Sequence, residues 1–128
     1  MRIAPVLALI VSAALPGIAG GDIVTAAQRA KSGAFDAKGE VRCAQEVGQP
    51  LGSCGASVAR AGESAAVVVT FPNGFARTLI FSDRKFLRGN ATMSGVGTDT
   101  DWHVSGGLYH VRVDDQRFEL PEALVFGD

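Results

Sequence analysis

The chain has 128 residues and a formal net charge of −1, with 12 Lys and Arg against 13 Asp and Glu. That length fits one compact domain. The balance lacks the basic surplus that nucleic-acid binders use on phosphate, so no nucleic-acid partner is expected. Beyond the N-terminus no uninterrupted apolar run is long enough to span a bilayer, so no integral span is expected once the first segment is removed.

Residues 1–19, MRIAPVLALIVSAALPGIA, set Arg2 ahead of an apolar stretch and finish in small residues after Pro16. This is the order of a secretory signal peptide. Gly17 and Ala19 suit the small subsites of a signal peptidase, which places the cut after Ala19. Pro5 and Pro16 interrupt any continuous anchor helix. A periplasmic or secreted location follows, where paired cysteines oxidise. Cys43 and Cys54 are the only two, and they enclose the ten residues AQEVGQPLGS. That spacing suits neither a metal-binding pair nor a C-x-x-C redox pair, so a structural disulfide is expected. Closing so short a loop is worth on the order of 2–3 kcal/mol.

Residues 20–39 read as a leader, either flexible or forming a short helix over Ile23 to Lys31, capped by Asp22 and ended by Gly33. A single β domain is expected over 40–128, where the apolar period becomes two. Ala65 to Phe71 and Phe75 to Phe81 flank Pro72-Asn73-Gly74, a hairpin signature. Pairing Phe71 with Phe75 sets Val69 against Arg77, Val67 against Leu79 and Ala65 against Phe81. That face is apolar apart from Arg77. The other face is only half polar, so something is expected to cover it.

Ser82 to Thr100 is looser, with a short strand at Phe86-Leu87-Arg88 and a glycosylation-type pattern at Asn90-Ala91-Thr92. Asp101 to Leu120 then reads as a three-strand meander through Gly106-Gly107 and Asp114-Asp115. Its turns place Trp102 and Phe118 across from Val111, and Val104 and Leu120 across from Tyr109. After Pro121, Ala123 to Phe126 either tucks onto the core or adds an edge strand. The expected fold is all-β: a small antiparallel meander forming a sandwich or partial barrel, to which the leader can add a short helix.

The same register sets His103 across from His110, and His110 across from Glu119. Two imidazoles and a carboxylate make a candidate zinc set, or an ordinary polar row on a solvated face. Arg84, Lys85, Phe86 and Arg88 form a candidate contact patch for an anionic partner. No nucleophile elbow and no phosphate-binding glycine loop occurs, and no cofactor is called for.

The runs Cys43…Gly48-Gln49-Pro50…Cys54, Val58-Ala59-Arg60, Val67 to Gly74 and Arg117-Phe118-Glu119-Leu120-Pro121-Glu122-Ala123 resemble a group of small exported proteobacterial proteins of unknown function. The resemblance spans about residues 40–127 and implies export and a compact fold, without an activity or a site; His103 and His110 lie outside it. The expected function is an exported, non-enzymatic binding module of the periplasm or envelope, acting on an envelope protein, peptide or small ligand. The alternative is a small metal-binding or hydrolytic protein using His103, His110 and Glu119.

Overall fold

The computed structural model describes residues 18–90 and 98–127. Most of the signal segment, and the Ala91-Thr92 part of the glycosylation-type pattern, lie outside those residues. Helix α1 (Ile18–Lys31) precedes eight strands: β1 (Ala37–Ala44), β2 (Gly52–Ala61), β3 (Ser64–Thr70), β4 (Ala76–Ser82), β5 (Lys85–Gly89), β6 (Thr100–Ser105), β7 (Leu108–Val113) and β8 (Gln116–Pro121). A short helix α2 (Glu122–Phe126) ends the chain.

The strands form one sheet in the order β5-β4-β3-β2-β1-β8-β7-β6, and every pairing is antiparallel. The order is a meander broken once. Each strand lies beside its chain neighbour, except that β8 returns to β1 and leaves β5 and β6 as the two edges. Those edges curl toward each other. A Cβ placed on Gly89 of β5 would stand 3.0 Å from Val113 Cγ1 of β7, so glycine here lets the two strands approach without displacing the Val113 side chain. The result is a nearly closed barrel.

The registers read from the turns recur in the structure. Val69 faces Arg77, Val67 faces Leu79 and Ala65 faces Phe81. Trp102 and Phe118 flank Val111, and Val104 and Leu120 flank Tyr109. Gly106 and Gly107 sit at φ 62° and 78°, the left-handed pair that fits a tight turn to twisted strands. β1 begins at Ala37, ahead of Glu40.

The barrel interior is aromatic. Phe81 lies 4.8 Å from Tyr109 and 5.5 Å from Phe86 between ring centroids, and Phe71 lies 5.6 Å from Phe118. After Pro121 the chain forms α2, so the apolar run after Pro121 tucks in as a helix and not as an edge strand. Val125 is fully buried and Phe126 packs on both Phe81 and Tyr109. Arg60 holds this plug by donating from Nε to the Val125 carbonyl at 2.9 Å and from Nη2 to the Leu124 carbonyl at 2.8 Å. Tyr109 Oη donates to the Arg84 carbonyl at 2.8 Å, and burial pushes this phenol above its ordinary pKa.

The disulfide joins Cys43 to Cys54 across the β1–β2 hairpin, with both residues in the core. Arg77 is the one charged side chain buried among the described residues. Its Nε donates to Gln116 Oε1 and its Nη1 to the Asn90 carbonyl, which stands in for the water it has lost. Desolvation pulls its pKa down, and Asp114 partly opposes that shift.

The leader is helical, and it covers the half-polar face. Ala26 and Ala30 of α1 are buried against Ala59, Ala66 and Ile80 on the outside of β2, β3 and β4. Small residues on both sides let helix and sheet approach closely. Asp22 lies inside α1 and is not its cap: the helix begins at Ile18, and the Asp22 carboxylate sits over Gly62. Asp36 ties the end of the helical segment down. Its carboxylate accepts from the Arg60 backbone N–H at 2.8 Å and from Arg29 Nη2 at 3.0 Å. The Arg60 N–H, then Arg29, hold the Asp36 carboxyl below the usual carboxylate range.

A depressed carboxylate pKa stabilises the fold above the unfolded value and loses that contribution as pH falls through the folded one. The α1 helix should therefore stay docked at neutral pH and loosen in acid below about pH 4, the ordinary carboxylate value. Circular dichroism against pH checks this. Asp36→Asn should remove the part of the acid transition that Asp36 causes, and an unchanged transition in that variant would contradict the latch.

Candidate functional site

Side chains at every second position of β6, β7, β8 and β1 point away from the core, so the pairing that builds the barrel also assembles its outer surface. One row across that surface reads His103, His110, Glu119, Arg42 and Ser53, each directly opposite the next. The two imidazoles stack at 4.6 Å between centroids with an interplanar angle of 8°. Glu119 lies between two donors: its Oε2 is 3.3 Å from His110 Nδ1 and its Oε1 is 3.8 Å from Arg42 Nε. At the far end Ser53 Oγ donates to Glu40 Oε1 at 3.2 Å.

The neighbouring row sets Arg112 directly across from Arg117. Two cations at cross-strand spacing repel, and each is held by oxygen elsewhere. Arg112 Nη1 lies 3.3 Å from Asp99 Oδ2 and donates to the Asp114 carbonyl at 3.0 Å. Arg117 Nη2 donates to the Gln49 carbonyl. That contact pins the β1–β2 loop over the sheet, and the Gln49 side chain braces the loop by accepting from the Gln45 and Glu46 N–H groups at 2.8 and 2.9 Å.

Between the two rows lies a groove of about 200 Å³, lined among others by Leu51, His103, His110, Arg112, Arg117 and Glu119. It combines one apolar wall from the pinned loop with donors and acceptors of both signs. Such a surface can orient a ligand through several hydrogen bonds at once. Protonating both imidazoles sets like charges face to face within the same wall.

The sequence places His103, His110 and Glu119 side by side, and the structure does bring them together. It does not aim them at one point. The stacked rings lie parallel, His110 Nδ1 is turned to Glu119, and Glu119 also serves Arg42. Among the described residues no group of three His, Cys, Asp or Glu side chains is placed to hold a metal ion. A straight cross-strand row is a poor arrangement for three corners of a tetrahedron.

In the basic patch one member differs from expectation. Phe86 is only 4% exposed and stacks inside the barrel on Phe81, so it takes no part in an outer contact surface. Arg84 sits in the β4–β5 turn at φ 67°, with its guanidinium 5.0 Å over the Phe126 ring. Lys85 and Arg88 remain exposed. The parts of the groove that sequence reasoning missed are Leu51, Arg112 and Arg117 as one set. Their signal was the register itself, which already made Arg112 and Arg117 a like-charged pair.

Because the imidazoles are stacked and Glu119 is engaged, zinc should leave the histidine ring resonances and the melting temperature of the protein unchanged. A saturable shift of both His103 and His110 with added zinc would restore the metal reading. Comparison with family models, with curated proteins and with solved structures returns no match for this chain.

Proposed function

We propose that this protein is an exported, non-enzymatic binding module of the periplasm or cell envelope, and that the outer face of β6, β7, β8 and β1 is its recognition surface. The observation that carries this reading is where the space lies. The barrel interior is filled by Tyr109, Phe81, Phe118, Leu79 and Leu120, each under 2% exposed, and α2 closes one end. The groove with convergent polar groups is on the outside, shallow and open to a partner.

Export is supported by three features of the chain. Residues 1–19 have the order of a signal peptide, the two cysteines are joined, and the resemblance noted above is to exported proteins. No helix among the described residues is long and apolar enough to cross a membrane. The partner is an envelope protein, a peptide or a small ligand with both donors and acceptors, because the groove offers Arg112, Arg117 and imidazole nitrogens beside Glu119.

Two measurements test the reading. N-terminal sequencing of the protein from a periplasmic fraction should begin at Gly20, and a cytosolic product retaining Met1 would overturn export. Immobilised protein should capture a component of that fraction in stoichiometric amount. Arg117→Glu should lose it, while Glu63→Ala, at the β2–β3 turn outside the groove, should keep it. Capture that survives Arg117→Glu would overturn the assigned surface.

A further inference from the structure

A second groove lies on the opposite flank, and none of its lining residues belongs to the recognition surface above. Helix α1 sits over β2 and β3 and reaches β4 with only one edge. Beside that edge the described residues leave a groove of about 500 Å³ on the outer face of β3, β4 and β5. Its apolar floor is Ala27 and Ala30 from the helix with Val68 and Ile80 from the sheet. Among the described residues, the charged side chains that line it are Lys31 at the end of α1 and Arg88 on β5, both exposed cations, and no carboxylate lines it. Thr78 and Asn90 complete the wall, and they are tied to each other: the Thr78 N–H donates to Asn90 Oδ1 at 3.0 Å.

From this arrangement we propose that the groove between α1 and β5 binds a single-chain amphiphile with a carboxylate head, such as a free fatty acid. The carboxylate lies between Lys31 and Arg88, and the alkyl chain runs over Ala27, Ala30, Val68 and Ile80. Charge complementarity selects the sign of the head, since an anion meets two cations and no acid. The floor selects the tail. Ala27 and Val68 are half-buried on that floor, with Ala30 and Ile80 buried behind them, so an alkyl chain laid there covers apolar atoms. A volume of about 500 Å³ lies in the range of small-molecule sites.

The site also explains two features that the fold alone leaves idle. Arg88 pairs with Ile80 beside the β4–β5 bulge, which puts it on the same outer face as the groove floor. Lys31 ends α1 one residue after the buried Ala30, so the tail floor and the head group follow each other along one helix.

Methyl NMR of the full folded chain, titrated with laurate below its micellar concentration, tests the proposal. Saturable shifts are expected at the methyl groups of Ala27, Ala30, Val68 and Ile80. Dodecyltrimethylammonium, with the same tail and the opposite charge, should give none. The pair Lys31→Glu with Arg88→Glu should weaken laurate binding by at least about tenfold, and Lys31→Gln with Arg88→Gln should weaken it without adding repulsion. Equal response to both detergents, unchanged laurate affinity in either double variant, or shifts confined to other methyl groups would overturn the site. So would binding to phosphatidylglycerol vesicles with no response to laurate. None of these variants touches Arg117 or the histidine row, so failure here leaves the recognition surface standing, and the reverse.

Discussion

Three residue pairs between β1 and β8 make the protein a single body: Arg42 with Glu119, Cys43 with Phe118, and Ala44 with Arg117. Every other pairing joins neighbours in the chain through a turn or loop. Without this contact β1 to β5 and β6 to β8 would be two separate meanders, each with one apolar face open to water. With it, Phe71 meets Phe118 and Phe81 meets Tyr109, and the two apolar faces become one interior. The contact is expensive in chain entropy because its partners lie far apart in sequence. Its support is correspondingly dense. The disulfide fixes β1 at Cys43, the residue paired with Phe118, and Arg117 clamps the loop that follows Ala44.

Closing the barrel forces some polar groups inward, and each finds a partner. Arg77 is held by Gln116 and the Asn90 carbonyl, and Arg60 serves the last carbonyls of α2; on the outer, helix-covered face Ser64 shares a 2.9 Å hydrogen bond with Ser82. Burial of an unpaired polar group would cost more than a neutral hydrogen bond returns, so these contacts set the geometry as much as they stabilise it. The same closure leaves two outer surfaces with different chemistry. One, on β6 to β8 and β1, is a row of two imidazoles, a carboxylate and a guanidinium. The other, beside α1, is an apolar floor with a cationic rim.

The hairpin registers were legible because two local signals agree. Gly106-Gly107 and Pro72-Asn73-Gly74 fix the turns, and the period of two then decides which side chains face inward. The disulfide was legible from the signal-like N-terminus and the cysteine spacing, and the charged exception at Arg77 was visible on the core face. The pairing of β8 with β1 left no local trace, since it depends on curvature accumulated over the whole sheet. Helix α1 was only half readable because its buried stripe is alanine, which carries little hydrophobic contrast. Phe86 was misplaced because its basic neighbours Arg84, Lys85 and Arg88 drew it into a charged cluster, whereas alternation along β5 turns it inward. The histidine row was legible from register, which gives neighbours, whereas the stacking of its rings was not, because register does not set ring orientation.

Both proposed surfaces depend on the closed barrel, because the histidine row crosses from β8 to β1 and the α1 groove is built on the curved β3–β5 face. Backbone hydrogen exchange tests that closure most directly. If β1 and β8 hold the two meanders as one body, their amides exchange slowly and together with those of β2, β3 and β7, while the unpaired edges of β5 and β6 exchange faster. Exchange of β6 to β8 as a separate, less protected unit would show that the two halves open independently and would contradict the account.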